Sequence, residues 1–369
     1  MLASSSEFQA APALAWRRFG LTFGLVAFSA TTLLYGFVLG VDPYGTRVRP
    51  GRPPGPIMDL NQRFMYPQIA RSGLYDSAVF GTSTVRLLDP RQLSMLFQAR
   101  FANLGLNAGT PWEQIQLAAL FLRHMPQPKV LVFGLDTTWC EPDADRKRLT
   151  FRAFPPWLYD ENPINDWPGL SNLRSFEIAG RMVLNRLGVM PARIGSDGFE
   201  IFVPPESAYD LARARSHIHR ASPQPRAHPE RPLTIDERRA LATPALDWLD
   251  DLLARAPSTV QKILLFPPIH AVAQPPPDSR AEAADAECKA RVAQIAQARD
   301  ATLVDFRRRS AVTMEDSNYW DPLHYRIGIA RRVATGLREA QDRGSDPPDE
   351  FYRVLTRRAG RASPAARPL

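Results

Sequence analysis

Residues 77–84 read SAVFGTST. SAVFG is a short apolar, β-rich run closed by Gly81, which reads as a buried strand with a turn at its end. Ser83 and Thr84 then open a helix-like stretch over 84–97, because Ser and Thr cap helix N-termini by accepting a backbone N–H. The same alternation recurs downstream. A strand over 99–106 (ARFANLGL) precedes a helix over 111–124, in which Pro111 suits the first turn and Glu113 the positive end of the helix dipole. KVLVFG at 129–134 is a continuous apolar run of the kind buried on both faces. A helix over 234–255 with Thr234 and Glu237 as a capping pair, a strand at 262–266 (KILLF), a helix over 279–298, a strand over 301–306 and a last helix over about 325–341 complete the series. Strand alternating with helix implies an α/β fold, a parallel sheet with helices on both faces. Ligands of such sheets bind beyond the carboxyl ends of the strands, so a functional residue is expected just after a strand.

Around this core the chain is less regular. Its 369 residues, 44% hydrophobic with a net charge of +8, suffice for one large domain or two ordinary ones and exclude a peptide, a small disulfide-stapled scaffold and a disordered chain. No Asp, Glu, Lys or Arg occurs from Phe19 to Val41. A run of that length crosses a hydrocarbon core with some tilt. Arg17 and Arg18 precede it, with Trp16 as an interfacial anchor. A cleaved signal or a buried core helix are the rival readings, the first weakened by the length of the run and the second by its lack of a polar face. The expected organisation is an N-terminus over 1–18, a transmembrane helix over 19–41, a Pro/Gly/Arg-rich linker over 42–60, the α/β domain over 61–345 interrupted by an insertion at about 141–232, and a basic, unstructured tail over 346–369. Five Arg and no acid from Arg353 onward supply +5 of the +8. Flanking charges on both sides of the apolar run leave its orientation open. There is no zinc spacing, RNP aromatic pair or basic zipper, so nucleic acid is not an expected partner, and no metal or cofactor is expected. Cys140 and Cys288 form no CxxC and read equally as a pair or as two buried thiols.

Three short motifs carry the chemistry. Ser83 follows the first strand, where a hydroxyl projects near N–H groups able to hold an oxyanion; a helix N-cap is the plainer reading. A serine nucleophile needs a base, and the base an orienter. Of six His, His324 lies in YWDPLHY with Asp321 three residues before it, within reach of the imidazole; a plain Asp-Pro capping turn is the alternative. His270 follows KILLFPP at the ligand edge and is a minor candidate for substrate binding. His217 and His219 lack nearby acidic or Cys partners in the sequence. Trp157, Tyr159 and Trp167 of the insertion read as core packing, or as stacking platforms for sugar rings.

GTS after the first strand, NLGLNAG after the second and DPLH before the last helix form one ordered set, and in this the chain resembles the SGNH/GDSL hydrolase superfamily over roughly residues 75–140 and 260–340. The resemblance implies a flavodoxin-like parallel sheet, Ser83 as nucleophile, His324 as base and Asp321 as its orienter. It also implies an oxyanion hole from the N–H groups of Ser83 and Gly105, with Asn107. One departure is plain. The family's third block carries Gly-x-Asn-Asp, whereas this chain has Gly134-Leu135-Asp136-Thr137, and an ionised Asp136 would repel an oxyanion. Asp136 is then protonated, turned away, or, with Thr137, placed for a substrate hydroxyl. With its N-terminal anchor and Asp42-Pro43-Tyr44, the chain is similar to membrane-anchored proteins of polysaccharide O-acetylation, such as the alginate acetylation proteins, and to the D-alanyl-transfer protein of teichoic acid synthesis. That likeness implies a single-pass protein of the cytoplasmic membrane with its catalytic domain outside. Its activity would be acyl, most simply acetyl, transfer or ester hydrolysis on an exported polysaccharide beside a multi-spanning membrane acyltransferase. A non-catalytic polysaccharide-binding or assembly factor on the same fold is the alternative.

Overall fold

The computed structural model describes residues 7–48, 50–220 and 230–358, with side chains from residue 14 onward. A long helix α1 (Glu7–Val41) leads into α2 (Gln62–Arg71), and then the alternation begins: β1 (Ser77–Phe80), α3 (Pro90–Phe97), β2 (Phe101–Asn103), α4 (Pro111–His124) and β3 (Val130–Gly134). The insertion carries α5 (Pro163–Leu170), α6 (Leu173–Arg186) and α7 (Leu211–His219). The series resumes with α8 (Ile235–Arg239), α9 (Pro244–Arg255), β4 (Gln261–Phe266), α10 (Arg280–Ala298), β5 (Ala301–Asp305), α11 (Ile327–Arg343) and β6 (Arg353–Thr356).

The strands form one sheet in the order β2-β1-β3-β4-β5-β6, parallel except for β6, which pairs antiparallel with β5. This is a doubly wound order, reversing between β1 and β3. Strand residues alternate between two cores. Ala78, Phe80, Leu131, Phe133, Leu264 and Phe266 share one with the apolar sides of α2, α4, α9 and α10. Val79, Val132, Ile263, Leu265 and Val304 share the other with α3 and α11. Both faces are dry, and β1, β3 and β5 are buried along their whole length.

Four expectations change. The helix expected over 84–97 is a 3₁₀ turn (Ser83–Val85) followed by α3, because Asp89 is held extended before Pro90 and caps the new helix. The helix over 234–255 divides into α8 and α9 at Pro244, whose ring keeps Thr243 out of the helical region without a side-chain cap, although the Thr234–Glu237 capping box forms. Residues 42–60 are not a free linker. Tyr44, Ile57 and Met58 are fully buried, with Tyr44 packed on Phe64 and Trp157 and Ile57 bridged to Ile194. The stretch expected as a tail supplies Phe351 and Tyr352, which pack on Phe306, and then β6; the last expected tail residues, 359–369, lie outside the described residues.

Of the N-terminal apolar run, Leu14–Val41 is long and apolar enough to cross a membrane, and its side chains are uncovered by the rest of the chain up to Leu34. Cys140 and Cys288 are disulfide-bonded, joining the turn after β3 to α10.

Candidate active site

β1 ends at Phe80, and Gly81 (φ 153°) turns the chain so that Val85 packs beneath it. The next residues wind into the single 3₁₀ turn that begins at Ser83, where an N–H has no partner within its own turn. Thr82 accepts the Thr84 N–H and so serves as the cap, leaving the Ser83 hydroxyl free of that role.

The hydroxyl donates instead to His324 Nε2 at 2.9 Å, and the ring's Nδ1–H donates to Asp321 Oδ2 at 2.7 Å. The other Asp321 oxygen accepts the N–H groups of Leu323 (2.8 Å) and His324 (2.9 Å), so one carboxylate shapes the turn and orients the ring. Burial pushes the Asp321 carboxyl up, but its bonds from the His324 ring and these two amides outweigh that and hold it below its ordinary value. It therefore stays ionised, and Nδ1 keeps the proton that leaves Nε2 as an acceptor. The loop is fixed on both flanks. Tyr319 and Tyr325 bridge across it, the Trp320 N–H donates to the His324 carbonyl, and the buried Tyr325 hydroxyl donates to the Thr84 carbonyl beside the serine. Ser83 and His324 remain partly exposed.

The second block lies against this turn. Leu106 N–H donates to the Gly81 carbonyl, and a Cβ on Gly105 would stand 2.9 Å from Arg86 Cγ and 3.2 Å from the Thr82 carbonyl, so only glycine fits without a shift. The Gly105 N–H, expected in the oxyanion hole, donates to Asn103 Oδ1 at 3.0 Å. Asn103 in turn donates through Nδ2 to the carbonyls of Val85 and Leu88 at 2.9 Å, stapling the second block to the first. Asn107 is half-buried, its N–H donating to Gln62 and its carbonyl accepting from Arg63; among the described residues no contact joins it to Ser83 or His324. The Arg63 guanidinium is fully buried and forms a two-pronged pair with Glu113 (2.7 and 2.6 Å) while donating to the carbonyls of Asn107 and Ala108. Helix α2 therefore clamps the loop that carries Gly105.

Asp136 caps the turn after β3, its Oδ1 accepting from the Thr138 N–H (3.1 Å) and hydroxyl (2.6 Å), and Thr137 is exposed at the same strand edge. The expectation for His270 is corrected. It is buried, its Nδ1 accepts the Val272 N–H, and its Nε2 lies 3.1 Å from Asp316, while its own N–H donates to the Pro322 carbonyl. Burial lowers its pKa, with Asp316 opposing, so it stays neutral and braces the Asp321–His324 loop from behind rather than meeting substrate. His219 reaches the same Asp316 oxygen at 3.0 Å, an acidic partner hidden in the sequence by a separation of 97 residues.

Three residues join the site that the motifs did not indicate. Phe202, from the insertion, stands edge-on to the His324 ring at 5.4 Å. Arg86 stacks over the Phe202 ring at 4.6 Å and pairs with Glu200, so a buried cation holds the aromatic wall in place. The anchoring of residues 197–200 is equally close: Asn103 N–H donates to the Asp197 carbonyl at 2.8 Å, and Gly198 (φ 80°) touches the Asn103 carbonyl. Of the insertion aromatics, Trp157 and Tyr159 pack inward, and Trp167 lies against α1.

Comparison with known proteins finds no matching family, no matching curated protein and no matching solved structure.

Proposed function

We propose that the chain is a membrane-anchored serine acyltransferase or esterase of SGNH type, acting through Ser83, His324 and Asp321 on an acyl ester of an exported polysaccharide. The carrying observation is the unbroken relay from Asp321 through His324 to Ser83, at the carboxyl edge of a parallel sheet where such folds take ligands. His324 removes the Ser83 proton as the hydroxyl oxygen attacks the acyl carbonyl. The imidazolium, steadied by Asp321, returns that proton to the departing alcohol, leaving an acyl-serine. A sugar hydroxyl or water, deprotonated by His324, then takes the acyl group and restores the serine. The Ser83 N–H is available to the oxyanion. The apolar α1 supports a single membrane span. The disulfide supports a domain on the oxidising, outer face. A multi-spanning acyl donor in the same membrane fits this position.

A second reading, a non-catalytic polysaccharide-binding factor, draws on the Gly105 N–H being bound to Asn103. A fluorophosphonate serine probe on the purified chain separates the two. Labelling lost on Ser83→Ala is the result expected of the enzyme; a folded, unlabelled wild-type protein supports the binding factor.

A further inference from the structure

The apolar helix α1 is longer than its free part. Side chains are exposed up to Leu34, but from Tyr35 onward they pack against the domain, and Val38 is buried. The stretch from Phe19, just after Arg17 and Arg18, to Leu34 therefore measures about 24 Å at the helical rise. A hydrocarbon core is about 30 Å thick. With both arginines at the far headgroups, the free helix falls short by about 6 Å, and the turn around Tyr35 and Phe37 must sit below the near surface.

Helices α5 and α6 accompany that turn. Tyr35 donates to the Trp167 carbonyl at 2.8 Å with its ring against the indole, and Phe37 packs on Phe176 at 5.5 Å. Further along, Arg186 donates to the Val41 carbonyl. The start of α6 thus lies toward the free part of α1 and its end away from it. Beside Tyr35 the insertion exposes Trp167 (54%), and one helical turn before Trp167 and Phe176 it exposes Ile164 (77%) and Leu173 (83%). One level further out, Arg47, Arg52 and Arg186 line a cleft beside Val41, in which Asp42 pairs with Arg47 and leaves the arginines in excess. An apolar band with arginines about 9 Å above it, the rise from Tyr35 to Val41, is the layering of an amphipathic surface seated at a bilayer interface.

We propose that Ile164, Trp167 and Leu173 form a collar that sinks into the outer leaflet of the membrane crossed by α1, with the Arg47–Arg52–Arg186 cleft at the phosphate level. The occupant is the lipid bilayer itself. The inference rests on α1 spanning the membrane and extends it: the domain is seated on the lipid by its insertion rather than swinging from a tether. The seat fixes the height and tilt of the sheet, and with them the reach of Ser83.

Spin labels on single cysteines test this in the full chain, reconstituted in nanodiscs of phosphatidylcholine and phosphatidylglycerol, since both native cysteines are disulfide-bonded. Accessibility to oxygen and to a water-soluble nickel chelate gives the depth of labels at Leu25→Cys, Ile164→Cys, Leu173→Cys and, on the far side of the sheet, Met95→Cys. The expected result is a deep label at 25, labels at 164 and 173 at the headgroup–acyl boundary, and an aqueous label at 95. Aqueous labels at 164 and 173 beside a deep label at 25 overturn the collar and leave the span standing. An aqueous label at 25 removes the span, and the collar with it.

Discussion

Asp321 divides its two oxygens between the backbone and the imidazole. Asn in its place keeps an acceptor for the amides, but its NH₂ group faces Nδ1 and favours the tautomer with the proton on Nε2. If the relay is catalytic, Asp321→Asn lowers acyl turnover by about 10⁴-fold while the fold persists; probe labelling rates measure it. The same carboxylate gives a pH signature of stability. Its folded pKa is lowered, so its contribution is present above the unfolded value of about 3.9 and is lost as pH falls through the folded value. The part of the thermal-midpoint gap between wild type and Asp321→Asn that the carboxylate supplies should be present at pH 5 and close in stronger acid. Ser83, His324 and Asp321 were legible because each is a polar residue beside a strand end or a Pro turn. Phe202, Arg86 and Glu200 were not, because their meeting depends on an insertion folding back over more than a hundred residues, and His270 misled because a strand end also hosts groups that support a loop from behind.

Elements were read well where the ends carried capping chemistry, as in α4, whose Thr110–Glu113 box and Pro111 define its start. They were overrun where a single proline resets the backbone inside a helical pattern, at Pro90 and Pro244. Helix α2 escaped notice because it is short, polar in composition and carries Pro67. Yet it holds the Arg63–Glu113 pair that clamps the Gly105 loop. Removing one partner of a fully buried pair leaves the other charge unpaired, so Arg63→Met should cost about 3–5 kcal/mol in denaturant unfolding. The double variant Arg63→Met with Glu113→Leu should recover a large part of that loss, since two apolar groups leave no buried charge behind. If the clamp also sets the site, the recovered protein will still label more slowly with a serine probe than wild type.

At the scale of the molecule, the disulfide closes a segment of 148 residues that contains the insertion. Its reduction should lower stability by about 2–5 kcal/mol, read as a fall in the unfolding midpoint that Cys140→Ser with Cys288→Ser reproduces. Neither this pairing nor the burial of residues 42–60 was legible beforehand, since both are contacts across a distance that composition does not report. The sheet was legible, because buried parallel strands announce themselves as continuous apolar runs. The separation of the relay also has a consequence in time. Ser83 and His324 stand 241 residues apart, and the serine precedes its base in the chain. If the relay is catalytic, the chain carries its serine early but stays inert until the His324 loop docks against Thr84. A copy cut short before His324 is then a harmless one, with a hydroxyl and no base to activate it.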